Sequence, residues 1–151
     1  MTPCPSLYEY ILTYMNIQWN ENYSSGINLL DLQHKELVKN INNFLCLDIK
    51  KKKITECKKL IKLVDQFIKV HFKDEEDIMK KIKYDDIKTH EKRHNMLKAE
   101  LNLFKSQFKR KPLDKIVVLE FSSFLSSWLN DHLYTEDMKL IKYIRENYIN
   151  V

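Results

Sequence analysis

All five histidines of the chain, His34, His71, His90, His94 and His132, fall on the apolar stripes of amphipathic segments. Glu75 follows His71 by four residues, so on a helix both side chains leave the same face one turn apart. His90 and His94 stand in the same relation. A lone histidine on such a stripe is ordinarily a satisfied core or boundary residue, but five together with a carboxylate need another account. Burying one unpaired polar group costs on the order of 1–3 kcal/mol, and an unpaired carboxylate more. Left unpaired, the cluster would consume most of a domain's roughly 5–15 kcal/mol of stability. Metal ions remove that cost, because neutral imidazoles and carboxylates are then satisfied as ligands.

Five imidazoles exceed what one tetrahedral ion accepts, and carboxylates can bridge two metals. Two octahedral ions sharing two carboxylates and a solvent-derived oxygen would leave three imidazoles on one ion and two on the other. The second ion then keeps an open position for a small ligand. The second carboxylate lies near His132, where Glu136 and Asp137 are both candidates and regular helical spacing favours Glu136.

These residues must be held by helices. A first segment, about Asn28 to Leu45, carries Leu30, His34, Leu37, Ile41 and Phe44 at alternating steps of four and three. Asn28, with Asp31 three residues on, reads as its start. A second, about Thr55 to Lys83, carries Leu60, Val64, Phe67, His71, Glu75, Ile78 and Ile82. The third, about Asp86 to Lys109, carries Ile87, His90, His94, Leu97, Leu101, Phe104 and Phe108. Pro112 stands where a first helical turn tolerates proline, and the fourth segment carries Val117, Phe121, Leu125, Trp128 and His132. A short stretch, about Glu136 to Asn147, follows. Short connections make sequential helices antiparallel neighbours, so the expected fold is all-α: an up-down-up-down four-helix bundle with a short C-terminal helix and an N-terminal arm.

Composition agrees. The 151 residues include one glycine, Gly26, and three prolines, too few turn residues for a β-rich domain. With 44% hydrophobic and 31% charged residues the chain is globular. Much of the net charge of +5 is lysine, including the run Lys50 to Lys53. That run lacks interleaved aromatics and joins two periodic segments, so it reads as a solvated loop and no nucleic-acid partner is expected. Cys4, Cys46 and Cys57 fit no metal-knuckle spacing; Cys46 and Cys57 lie near apolar stripe positions, which reads as reduced, partly buried thiols in a cytoplasmic protein. No apolar run approaches membrane-spanning length, Glu9 interrupts the N-terminal apolar stretch, and no signal peptide is expected. No protein partner is readable. Residues 1–14 read as an extension of unassigned role, with Met15 an alternative start.

The motifs Gly26-Ile27-Asn28-Leu29-Leu30-Asp31-Leu32-Gln33-His34-Lys35, His71-Phe72-Lys73-Asp74-Glu75-Glu76, His90-x-x-x-His94 and Trp128-Leu129-Asn130-Asp131-His132-x-x-x-x-Asp137 resemble the hemerythrins, particularly the bacterial single-domain type. Ile17-Gln18-Trp19 is similar to that type's start, and the resemblance covers residues 15–151. Each motif alone is weak, but the ordered set is specific. The resemblance implies two iron ions, one held by His90, His94 and His132 and the other by His34 and His71. Glu75 and Asp137, with an oxo or hydroxo group, would bridge them. It thereby selects Asp137, and the five-residue step from His132 implies that the fourth helix loosens there. It further implies reversible O2 binding by a non-enzymatic protein, for storage, delivery, scavenging or sensing. Trp128 and Leu129, one turn before His132, are the candidates for the apolar wall of the O2 pocket.

Two other readings compete. His90-Glu91-Lys92-Arg93-His94 matches the zinc metalloprotease motif His-Glu-x-x-His, but leaves His34, His71 and His132 unexplained. A ferritin-like di-iron oxidase or iron-handling protein wants Glu-x-x-His twice, and only Glu91 and His94 supply it.

Overall fold

The computed structural model describes residues 18–47, 54–110 and 114–149. The extension 1–14, Cys4, the Lys50 to Lys53 run and Pro112 lie outside the described residues. A 3-10 turn, Glu21–Tyr23, leads to α1 (Asn28–Leu45), α2 (Ile54–Lys81), α3 (Ile87–Arg110) and α4 (Lys115–Asp131). A π-helical turn, His132–Glu136, links α4 to α5 (Asp137–Ile144), and a second π turn, Arg145–Ile149, follows.

The start of α1 falls where the sequence places it, but its first turn is secured differently. Ile27, not Asn28, holds the N-cap position and makes no side-chain cap bond. Asp31 reaches back instead: Oδ1 accepts from Ser25 N–H and Oγ–H, each at 2.7 Å, and Oδ2 from Ser24 Oγ at 2.5 Å. Gly26, at φ 75°, supplies the left-handed residue that turns the chain between these donors and the helix. Burial acts to raise the Asp31 pKa, but the hydrogen bonds from Ser24 and Ser25 outweigh it and hold the carboxyl below its usual 3.8. At the end of α2, Tyr84 N–H bonds to Met79 O and Lys83 N–H to Lys80 O, with Lys83 left-handed at φ 55°. This is a Schellman turn closed by a lysine where glycine is usual, and it stops α2 at Lys81. At α4, Asp114 caps the first turn, its side chain accepting from Ile116 N–H at 2.9 Å.

Side-chain contacts show the up-down-up-down order directly. His34, early in α1, meets His71, late in α2, while Glu75, late in α2, meets His94, early in α3. His94, early in α3, faces His132 just past α4, and Phe108, late in α3, faces Phe121, early in α4. Phe44, at the end of α1, packs on Phe121 and closes the ring. Between the helices lies one large apolar cluster, including Leu37, Ile41, Phe44, Cys57, Leu60, Val64, Leu101, Phe121, Leu125 and Leu129. A smaller cluster of Met79, Tyr84, Leu140 and Ile144 is separate from it. Cys57 is buried as expected, whereas Cys46 is exposed because it sits just past the end of α1. On α4 the expected inward Val117 is half-buried and its neighbour Val118 is buried. Among the described residues no helix is long and apolar enough to cross a membrane.

Candidate metal centre

Every residue expected to ligate metal is buried: His34, His71, Glu75, His90, His94, His132 and Asp137 are each at most 2% exposed. Five helical elements supply them: α1 gives His34, α2 gives His71 and Glu75, α3 gives His90 and His94, the π turn gives His132 and α5 gives Asp137. Their donor atoms form three overlapping groups, His34–His71–His132–Asp137, His90–His94–His132 and Glu75–His90–Asp137, within each of which all donors lie inside 4.8 Å. Glu75 Oε2 is 3.0 Å from His94 Nε2, 3.1 Å from His90 Nε2 and 3.9 Å from His71 Nε2. Asp137 Oδ2 is 2.9 Å from His34 Nε2 and 3.3 Å from His132 Nε2, and its Oδ1 is 3.3 Å from His90 Nε2. Both carboxylates therefore touch imidazoles on either side of the cluster, as bridging ligands must.

The π turn explains why Asp137, and not Glu136, joins the cluster. The backbone N–H of Asp137 bonds to His132 O, five residues back, so this turn brings residues five apart onto one face. Regular α spacing, which favours Glu136, does not hold there. Glu136 points elsewhere, with Oε1 3.4 Å from Lys139 Nζ and 3.9 Å from Arg93 Nε.

Several of the donors fit a cation and not one another. Both Asp137 oxygens, both His132 nitrogens and His94 Nε2 have no hydrogen-bond partner, although opposing donors lie within about 3 Å. His34 Nε2 and His71 Nε2 stand 2.9 Å apart. His71 has its proton on Nδ1, which donates to Gln33 Oε1 at 2.8 Å, so its Nε2 lone pair faces another ring nitrogen. Lone pairs converging on common points rather than on donors are what a metal ligand set requires.

Charge points the same way. Burial holds the pKa of His71 down to about 3 and that of His132 to about 4, keeping both imidazoles neutral. Burial and Asp137 act to raise Glu75, but His90 and His94 outweigh them and hold its carboxyl below the usual range. Burial likewise opposes ionisation of Asp137, and His132, His34 and His90 overcome it. On His90, burial acts against charge, but Asp137 and Glu75 push the pKa up to about 10. The two buried carboxylates thus favour positive charge at His34 and His90.

Aromatic rings hold the ligands in place. Phe72 stacks on His94 with centroids 3.7 Å apart at 3°, and Phe67 on His71 at 4.7 Å and 20°. Trp128 stacks on His132 at 6.1 Å and 17°. Leu129 is fully buried in the large apolar cluster, and its carbonyl, with that of Trp128, accepts the backbone N–H of His132. Glu91, the general base of the protease reading, lies away from the cluster, 3.8 Å from Lys80 Nζ. Gln33, Asp74 and Glu76 were missed by stripe reading: they adjoin ligands in sequence but sit about 100° around the helix from them, where a neighbouring helix is within reach. Their signal was present, since Gln33 precedes His34 and Glu76 follows Glu75.

The comparisons with known proteins agree with this geometry. The family model described as Hemerythrin HHE cation binding domain matches residues 25–144. The chain is 32% identical over 121 residues to a myohemerythrin of Sipunculus nudus, covering 80% of this chain and 88% of that one. It is 30% identical over 122 residues to a hemerythrin-like protein of Naegleria gruberi, covering 80% and 87%. To a bacteriohemerythrin of Pseudomonas aeruginosa it is 25% identical over 132 residues, covering 87% and 84%. With the matched segment enclosing all seven buried metal-ligand candidates, the chain belongs to the hemerythrin family.

Proposed function

We propose that the protein binds O2 reversibly at a non-haem di-iron centre and is not an enzyme. The observation that carries this reading is the buried set of five imidazoles and two carboxylates, in which His94 Nε2, both His132 nitrogens and both Asp137 oxygens have no hydrogen-bond partner. His90, His94 and His132 would hold one iron, His34 and His71 the other, and Glu75 and Asp137 would bridge them. When bound, ferrous iron would supply the electrons that O2 takes up and returns.

The residues do the rest. Neutral His71 and His132 present lone pairs without first losing a proton, whereas His90 and His34, whose pKa values its carboxylate neighbours raise, must give one up. Stacked Phe67, Phe72 and Trp128 fix the ring planes. Trp128 and Leu129 form the apolar wall that keeps water and protons from the bound gas. A histidine-rich donor set carries less negative charge than the carboxylate-rich di-iron oxygenases, which favours binding over oxidation chemistry. Storage, delivery, scavenging and sensing all use this one site.

Paired substitutions test the assignment. His34→Ala removes one of two imidazoles from the open position and should abolish the oxygen-dependent absorption band. Glu91→Ala should leave band and iron content unchanged, since Glu91 pairs with Lys80 outside the cluster. Loss of a hydrolytic activity in Glu91→Ala, with His34→Ala silent, would instead establish the zinc protease reading.

A further inference from the structure

Only two of the five buried imidazoles have a hydrogen-bond partner at Nδ1, and those two partners differ in charge. His71 Nδ1 lies 2.8 Å from Gln33 Oε1, and His94 Nδ1 lies 2.9 Å from Glu76 Oε1. Nδ1 of His34, His90 and His132 has no such partner. Asp74 decides which end of the Gln33 amide faces His71: its Oδ2 accepts from Gln33 Nε2 at 2.9 Å, so Oε1 is turned to the ring and His71 donates. A carboxylate only accepts, so His94 also donates from Nδ1. Both rings are thereby fixed with a bare Nε2 toward the cluster, and Phe72 and Phe67 stacking prevents them from turning away.

We infer that Glu76 and the Gln33–Asp74 pair are positioning residues that make the two metal positions electronically unequal, an inference that rests on the di-iron reading above. A carboxylate draws the Nδ1 proton of His94 more strongly than an amide draws that of His71, and so leaves more electron density on His94 Nε2. The position served by His90, His94 and His132 then stabilises the higher oxidation state. The position served by His34 and His71 stays easier to reduce. One such contact falls on each position, so the difference between the partners becomes a difference between the irons. Glu76 is 22% exposed, so solvent weakens its charge without cancelling it.

Two nearly isosteric changes test this on the full chain. In the parent, reconstituted with ferrous iron, elemental analysis should find two irons, and spectroelectrochemical titration two one-electron steps. Glu76→Gln keeps an acceptor for His94 but removes the charge; it should move the lower-potential step to more positive potential and leave the other in place. Gln33→Glu should move the higher-potential step to more negative potential. A fall in iron affinity of about 10–100-fold in Glu76→Ala, restored by Glu76→Asp, is expected from loss of an outer hydrogen-bond partner. In the metal-free protein, 15N shifts should show Nδ1–H tautomers at His71 and His94, with His94 alone changing in Glu76→Ala. A parent with two irons whose steps stay unmoved in both isosteric variants, or His94 keeping its tautomer in Glu76→Ala, overturns the inference alone. A parent that holds fewer than two irons overturns the di-iron reading along with it.

Discussion

Where α1 ends and α4 begins, Phe44, Phe104 and Phe108 surround Phe121 with ring centroids 5.2–5.6 Å away at tilted or edge-on angles. Further along the same helices, rings are again packed closely, but they are imidazoles: His34 lies 4.5 Å from His71, and His90 4.6 Å from His94. Phe44, Phe108 and Phe121 are buried and Phe104 is half-buried, while all four of these histidines are buried. In the first, burial itself is the stabilising force, and each ring contributes by leaving water. In the second, the same burial is a cost, because lone pairs of His94, His132 and Asp137 lose water and gain no hydrogen bonds. The bundle thus folds around one end and holds a reactive layer in the other. The smaller cluster of Met79, Tyr84, Leu140 and Ile144 gives that layer a second apolar neighbour.

Substitution and metal removal should separate the two regions most sharply. Phe121→Ala should cost roughly 3–5 kcal/mol, read as a lowered denaturation midpoint, with bound iron per folded chain unchanged. Chelating the metal should lower the melting temperature of parent and variant alike, since binding to the native state stabilises by mass action. If Phe121→Ala abolished metal binding in protein that is still folded, the two regions would not be separable.

Leu129 sharpens the comparison because it belongs to both regions, packed in the apolar cluster and bonded through its carbonyl to the backbone of His132. Leu129→Ala should cost roughly 2–5 kcal/mol and leave iron content intact. The oxygenated absorption band should then decay faster than the parent's in air-saturated buffer at one pH. An unchanged decay at equal metal content would leave Leu129 as packing alone.

The smallest effect expected is at the start of α1. Asp31→Asn removes the charge that accepts from Ser24 and Ser25, and should cost about 1–3 kcal/mol near neutral pH. Because folding lowers the Asp31 pKa, its contribution is complete above the usual 3.8 and is lost as pH falls through the folded-state value. The gap in melting temperature between parent and Asp31→Asn should therefore be steady above pH ~5 and narrow in more acidic buffer. A gap that widened with acid would contradict the hydrogen-bonded anion.

Much of this was legible in the residues. The stripes located the first three helices to within two residues at each end and the fourth by its inward residues, because long amphipathic helices carry a strong period and few alternatives. Six of the seven buried ligand candidates, the five histidines and Glu75, were legible for the opposite reason: they break those stripes. Asp137 was not legible by spacing, since the π turn is a local departure from the α period that only the family motif revealed. Nor was Asp31, whose side chain turns back into the preceding loop instead of serving a capping box led by Asn28. Gln33, Asp74 and Glu76 escaped because their roles depend on which neighbouring helix they face, and a single helix's period does not encode that.

The central claim is that the buried polar layer is a two-iron site that takes up O2 and gives it back. Iron-reconstituted protein, analysed for metal and followed optically through cycles of air and anaerobic gas, tests it most directly. Two irons per folded chain are expected, with an absorption band that rises with O2 and falls when O2 is withdrawn. A single tightly held zinc, or iron whose spectrum ignores oxygen, would contradict it.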